Sequence, residues 1–275
     1  MFGQKRSKNA SAIVTGAGSG IGKAFALEIA KRGGRVVCAD INLAAAEETA
    51  QQIIQSGGSA HALQCDVSKL DEVENLAQAA EQWLNGPVDL VINNAGVATG
   101  GHPIGEVSME DWRWVVDVNL WGVVHGCHVF APKLKQLGRG GIINVASSAG
   151  FASAPLMGPY NATKAAVVAI SETLLAELSG SGVGVSVLCP TFVATNIIRN
   201  SRGHQGTLSR AQKLMDRAGM APEKVVKLCL DALDGNQFYV MPQVDARLMW
   251  RIKRLLPQGY HASLGILNRL AAKVG

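Results

Sequence analysis

The sequence predicts an α/β fold: a doubly wound, seven-stranded parallel sheet with helices on both faces. Three observations lead there. Short apolar runs alternate with longer amphipathic stretches along most of the 275 residues. The runs are apolar throughout, as strands covered on both faces are. No linker, repeat or low-complexity stretch marks a second domain, so right-handed crossovers wind one sheet.

Taken in order, Ser11–Thr15 reads as the first strand and Gly20 to about Arg32 as the first helix. Arg35–Asp40 is the second strand, and Leu43–Gln55 the helix after it. Ala60–Cys65, Val88–Ile92, Gly141–Ala146 and Val183–Leu188 continue as short buried strands, with Gln237–Met241 as the seventh. Helical patterns fill the gaps near Leu70–Leu84, Trp112–Leu137, Pro159–Ser179 and Pro222–Leu233. Residues 1–245 are read as one catalytic domain, and 246–275 as a basic amphipathic extension.

Composition narrows the function classes. Hydrophobic residues make up 48% and charged residues 17%, which supports a large core and argues against disorder. The five cysteines are scattered, odd in number and never in a CxxC pair, so reduced, buried thiols in a cytoplasmic protein are expected. No apolar run approaches the ~20 residues that span a bilayer. The basic start (Lys5, Arg6, Lys8) leads into a strand and a glycine turn, so it does not read as a signal peptide. Six cations against Asp245 in residues 245–275 account for the whole net charge of +5. The rest of the chain balances to zero and shows no basic stripe for nucleic acid.

The first strand runs into Thr15-Gly16-Ala17-Gly18-Ser19-Gly20-Ile21-Gly22. Glycines there let the backbone turn tightly and approach a pyrophosphate, whose charge sits at the following helix N-terminus. The second strand ends at Asp40, whose carboxylate suits two ribose hydroxyls and repels a 2′-phosphate. No Arg or Lys follows it, and Ser19 stands where a phosphate-binding cation would precede the glycine, so NAD is favoured over NADP. A cap on the next helix is the other reading of Asp40. Asp66, with Val67 after it, either bonds an adenine amino group or caps the helix beginning near Lys69. Asn93-Asn94-Ala95-Gly96 follows the fourth strand, where such sheets open their ligand crevice.

Tyr160 and Lys164 lie four apart in Tyr160-Asn161-Ala162-Thr163-Lys164, hence on one helix face. A phenol titrates near pH ~10, and a neighbouring cation draws that value toward neutrality. Ser147 stands thirteen residues upstream of the tyrosine.

Together TGAGSGIG (15–22), Asp66, NNAG (93–96), Asn119, Ser147 and YxxxK (160–164) resemble the classical short-chain dehydrogenase/reductase family, in its order and spacing over about residues 10 to 195. The resemblance implies a single-domain Rossmann fold and NAD(P)-dependent interconversion of alcohols and carbonyls. It assigns Tyr160 as acid/base and Ser147, rather than Ser148, as hydrogen-bond donor to the substrate oxygen. Lys164 would lower the tyrosine pKa and hold the nicotinamide ribose. Asn119 would bind a water linking Lys164 to solvent; a satisfied buried amide is its other reading. Cofactor contacts are expected from Gly16, Ser19, Gly20, Ile21, Gly22, Asp40, Asp66, Val67, Asn93, Ala95, Gly96, Tyr160, Lys164, Pro190, Val193 and Thr195. The chain departs from the family at Pro190-Thr191, where Pro-Gly is usual, and in lacking a glycine-rich end to its last strand.

Residues 192–220 would cover the substrate, mixing Ile197, Ile198, Leu214 and Met215 with Arg199, Arg202, His204 and Arg210. Phe151, Ala152, Ala154, Leu156 and Met157 would line an apolar pocket. A hydrophobic, lipid- or steroid-like secondary alcohol or ketone is expected as the small-molecule substrate. An NAD-binding regulatory protein without turnover and a 3-oxoacyl-carrier reductase are the alternatives. In 246–256, Leu248, Ile252, Leu255 and Leu256 fall on one side and Arg247, Arg251 and Arg254 on the other, until Pro257 stops the helix. Such a helix either packs over the domain, the favoured reading, or rests on an anionic membrane. His125 and His128 suggest no metal site, since no third ligand accompanies them. A homodimer or homotetramer is expected, through the helices bearing Asn119 and Tyr160.

Overall fold

A computed structural model of the protein describes residues 5–195, 197, 201–204, 206, 209, 212, 213, 215, 217 and 219–271. Ile198, Arg199, Arg210 and Leu214 of the expected substrate cover, and Lys273 of the basic extension, lie outside them. The first half runs β1 (Ser11–Thr15), α1 (Gly20–Lys31), β2 (Arg35–Asp40), α2 (Leu43–Gln55), β3 (Ser59–Gln64), α3 (Leu70–Leu84), β4 (Leu90–Asn93), β5 (Thr99–Gly100), α4 (Met109–Val116) and α5 (Gly122–Leu137). It continues with β6 (Gly140–Val145), α6 (Ala149–Ala152), α7 (Gly158–Glu177), β7 (Val183–Leu188), β8 (Arg202–Gly203), α8 (Pro222–Asp234), β9 (Tyr239–Val240), α9 (Val244–Leu255) and α10 (Pro257–Ala271).

Seven strands form one parallel sheet in the order β3-β2-β1-β4-β6-β7-β9, the doubly wound arrangement expected. Alternate residues of each strand serve opposite faces. Ala12 and Val14 join Val36 and Cys38 under Phe25 and Ile29 of α1 and Leu230 of α8. Ile13, Val37 and Val91 pack on the other face beneath Leu76, Phe130 and Val167. Each Val, Ile, Leu or Phe among them contributes about 1.5–3 kcal/mol of burial, which is why the strands had to be apolar throughout. All five cysteines are free and buried. The chain turns one way from β1 to β2 and β3, and the other way through β4 to β9. The loops after β1 and β4 therefore flank the topological switch point.

Three features differ from the sequence expectation. The helix expected over Trp112–Leu137 is interrupted by a π-helical turn at Asp117–Trp121, which holds Asn119. The segment expected to cover the substrate is stitched to the body by a two-residue parallel pair, Thr99–Gly100 with Arg202–Gly203. Pro257 stops α9 and also opens α10, its fixed φ suiting a first helical turn. In α9 the apolar side is not the packed side. Leu248 and Leu255 are 56% and 77% exposed, while Ala246 is fully buried and Lys253 reaches into the domain. Among the described residues no helix is long and apolar enough to cross a membrane.

Candidate active site

The glycine turn is built for close approach. Gly16 and Gly20 have φ of 65° and 54°, a region that L side chains avoid. A Cβ on Gly16 would stand 2.9 Å from Ala95 Cα, and one on Gly22 would stand 2.0 Å from Gly16 O. The turn is tied to the β4 loop: Asn94 Nδ2 donates to Thr15 O at 2.8 Å, and Ala95 N donates to Thr15 Oγ1 at 3.1 Å. The first turn of α1 carries no acidic residue, and Ser19 makes no side-chain cap bond. Its N-terminal amides thus remain a site for an anion. Thr195 lies against that end, its Cβ 3.2 Å from where a Cβ on Gly20 would be. Ile21 packs against the core, and Val193 bridges to Met220, so both act from behind the crevice.

Asp40 accepts from Gly18 N at 2.9 Å through Oδ2 and from Asn42 N at 3.0 Å through Oδ1. The cap of α2 is Asn42, which accepts from Ala45 N, so Asp40 does not serve as that cap. A cleft of about 500 Å³ opens outside the ends of β2 and β3, lined among others by Ile41, Leu63, Gln64, Asp66 and Lys69. Asp66 Oδ1 accepts from Ser68 N and Ser68 Oγ at 3.1 and 2.7 Å, while Lys69 caps α3 without a side-chain bond. Val67 is buried; its carbonyl meets His125 Nδ1 at 2.9 Å, which gives His125 a structural partner. Asn93 turns away from the crevice: its amide donates to Asn144 Oδ1 at 2.9 Å within the buried sheet. Gly96 keeps space open, since a Cβ there would sit 3.2 Å from Asn119 Oδ1 and 3.5 Å from Lys164 Nζ. The open turn, the uncapped helix end and the carboxylate beside a cleft match the shape and charge of a dinucleotide.

Ser147 follows β6, and Tyr160 and Lys164 lie one turn apart on α7. Ser147 neighbours the Tyr160 phenol closely enough to act on its titration. Its Oγ also accepts from Ala149 N at 3.2 Å, and Ser148 N donates to Pro190 O at 2.9 Å. Lys164, 3% exposed, donates to Val145 O at 3.0 Å and lies 5.7 Å from the Tyr160 ring centroid. Burial holds the lysine down, to a pKa of about 8. Burial also raises the phenol above its ordinary value, and Ser147 acts against that rise. The expected lowering of Tyr160 by Lys164 is not seen in this geometry, where desolvation is the larger effect. Asn119 has both ends of its amide committed: Oδ1 accepts from Val97 N at 2.8 Å and Nδ2 donates to Val97 O at 2.9 Å. Nδ2 also reaches Thr163 Oγ1 at 3.4 Å. The buried-amide reading describes its side chain.

On the substrate side, Leu156 O accepts from Gly101 N at 2.8 Å, and Leu156 and Ser153 both adopt positive φ. Arg202 pairs with Glu110 and Asp111 at 3.1 and 3.2 Å and stacks over Trp114, latching the cover to α4. Sequence reasoning missed Gln243 and Asp245. Gln243 Oε1 accepts from Thr191 N, and Asp245 Oδ1 accepts from Thr191 Oγ1, both at 3.2 Å. No periodic signal marks them.

The chain matches the short chain dehydrogenase family model over residues 10–206 and belongs to that family. It is 34% identical over 260 residues to a probable oxidoreductase, EphD, of Mycobacterium tuberculosis. That match covers 91% of this chain but 44% of the relative, so the chain spans less than half of that protein's length. A 1-deoxy-11-beta-hydroxypentalenate dehydrogenase of Streptomyces exfoliatus is 36% identical, over 88% of this chain and 86% of its own. A short chain dehydrogenase/reductase from Burkholderia phymatum, solved in complex with NAD, superposes with a TM-score of 0.86 at 34% identity. The overlap covers 91% of this chain and 95% of that one.

Proposed function

We propose that the protein is an NAD-dependent dehydrogenase/reductase interconverting a hydrophobic secondary alcohol and its ketone. The observation that carries this reading is the convergence of Ser147, Tyr160 and Lys164 at the mouth of a glycine-turn crevice bearing Asp40. The bound nicotinamide supplies the hydride acceptor or donor. Gly16–Gly22 and the α1 N-terminus would hold its pyrophosphate, Asp40 a ribose and the Asp66 cleft the adenine. Tyr160 Oη gives a proton to the carbonyl oxygen in reduction and takes one from the alcohol in oxidation. Ser147 Oγ donates a hydrogen bond to the same oxygen, where charge develops. Lys164 is a buried cation below pH about 8 and would hold the nicotinamide ribose hydroxyls.

Preference for NAD rests on Asp40, with no Lys or Arg in the two residues after it, and agrees with the NAD bound by the Burkholderia relative. Apolar Phe151, Leu156 and Met157 beside the site support a hydrophobic substrate, as does the hydroxypentalenate named for the Streptomyces relative. Buried free thiols support a reducing cytoplasm. Exposed Trp121 and Leu175, beside α5 and on α7, suit a homodimer contact. Residues 1–245 would form the catalytic unit on which 246–275 packs.

The test is reduced-nicotinamide absorbance against a panel of secondary alcohols and ketones, with NAD and NADP in parallel. Tyr160→Phe is expected to lower turnover by about 10²–10⁴-fold while leaving NADH binding intact. Turnover unchanged in Tyr160→Phe, or short polar ketols outpacing large apolar ketones, would overturn the reading.

A further inference from the structure

The segment between Ser147 and Tyr160 is held from outside the catalytic domain. Helix α6 has only four residues, so its last carbonyls have no partner within the helix. Two of them are met by side chains from the C-terminal extension. Lys253 Nζ on α9 donates to Phe151 O at 2.7 Å and to Ser153 Oγ at 3.2 Å. Tyr260 on α10, itself buried, donates its hydroxyl to Ala152 O at 2.8 Å. The lysine nitrogen also lies 6.0 Å from the Tyr260 ring centroid, so the two act as one clasp.

The residue they hold in place is an unusual cap. Ser153 closes α6 in the left-handed region at φ 55°, where glycine is the common choice. Leu156 follows with φ 63°. Neither conformation is one a non-glycine adopts without support from its surroundings. On its inner side α6 lies flush against α7: a Cβ on Gly150 would come 2.6 Å from Lys164 O. The clasp thus presses the pocket wall against the turn of α7 that carries the lysine.

We propose that Lys253 and Tyr260 are positioning residues. They hold α6 and the wall at Phe151, Leu156 and Met157 in register with Ser147, which makes the C-terminal extension part of the substrate site. Neither touches the reacting atoms. Their role deepens the dehydrogenase reading above and rests on it for the identity of the pocket, but the clasp can be tested without turnover.

The experiment compares the full chain with Lys253→Met, Tyr260→Phe and the double variant, each of which removes a donor at nearly constant volume. Amide hydrogen exchange is read at Phe151, Ala152 and Ser153, whose N–H groups bond Ser148 O and Ala149 O. In the double variant these amides should exchange at least about 10-fold faster, with α1 and the sheet unchanged. KM for large apolar ketones should rise about 10-fold with kcat within about 2-fold, while KM for small ketones stays near the wild-type value. Lys253→Arg should restore both. Unchanged exchange at the three amides would overturn the proposal. So would faster exchange across the whole sheet, or a KM equally altered for every substrate size. If wild-type protein reduces no ketone, the dehydrogenase reading fails, and the exchange result still decides whether the clasp exists.

Discussion

Gly150→Ala tests whether α6 is seated as tightly on the lysine-bearing helix as the geometry requires. The added Cβ would lie 2.6 Å from Lys164 O, 2.7 Å from Lys164 C and 2.9 Å from Ala165 N. Ordinary van der Waals contact begins at 3.4 Å, so α6 and α7 must part by about 0.8 Å. All three opposing atoms are backbone, so no side chain can rotate to make room. Overpacking of this kind costs about 1–3 kcal/mol, and 2 kcal/mol corresponds to a melting point lower by about 4–8 °C in a chain of this size. The larger effect should be catalytic. Ser147 Oγ is bonded to Ala149 N inside the displaced turn, and a misplacement near 1 Å costs about 100-fold in rate. NADH affinity should not change, because the glycine turn is tied to Ala95 and Asp40 rather than to α6. Differential scanning fluorimetry, NADH fluorescence titration and steady-state kinetics separate the three quantities. A rate loss below about 3-fold, or a parallel loss of NADH affinity, would refute this account.

Asp40→Ser removes the carboxylate that would repel a 2′-phosphate, so the ratio of kcat/KM for NAD over NADP should fall at least about 10-fold. NADH affinity should weaken too, since Gly18 N loses its acceptor. Lys164→Met should reveal a proton linkage in stability. The ordinary lysine value is 10.5 and the folded one about 8, so between those values the unfolded chain binds more protons and rising pH favours folding. Wild-type stability minus that of Lys164→Met should therefore climb by up to about 1.4 kcal/mol per pH unit above pH 8, read by urea unfolding. Buried thiols remote from Lys164, such as Cys38 at about 12, destabilise both proteins alike as pH rises past 9 and cancel in the difference. Cys189, which Lys164 itself holds down, does not cancel. Asn119→Leu leaves Val97 N and O without their partners and should cost about 2–4 kcal/mol; a loss below about 0.5 kcal/mol would show that the amide clamp is dispensable.

The sheet was legible because parallel strands covered on both faces must be apolar at every position. Val36, Val37 and Cys38 serve two different cores in consecutive residues. The glycine turn, Asp40 and the YxxxK pair were legible because each is a local constraint: a positive φ, a strand end, a helix turn. The π turn at Asn119 was hidden, since its apolar spacing runs on through both flanking helices. The pair β5–β8 was hidden too, because two residues carry no period. Asn93 misled for a related reason. Asn93 and Asn94 are adjacent, yet a strand end sends them to opposite faces, so Asn94 ties the glycine turn while Asn93 is buried against Asn144. The protonation state of Tyr160 could not be read from spacing, which records the distance to a cation but nothing of desolvation.

The two departures from the family pattern prove to be one structural feature. Thr191, where glycine is usual, offers a hydroxyl that Asp245 accepts and an amide that Gln243 accepts. Both partners stand at the root of the extension that replaces the usual glycine-rich ending. Gln243 also donates to Phe192 O at 3.0 Å, so the start of the segment after β7 is fastened at the same point. Pro190, next to Thr191, accepts from Ser148 N and reaches Ser147 Oγ at 3.5 Å. The extension therefore grips the Ser147 turn from two sides: through Thr191 and Pro190 at its root, and through Lys253 and Tyr260 on α6. A glycine at 191 would lose the Asp245 bond, and a chain ending at β9 would lose the clasp on α6 as well. On this geometry the threonine and the extension belong together, and replacing Thr191 with glycine should loosen the Ser147 turn only while the extension is present.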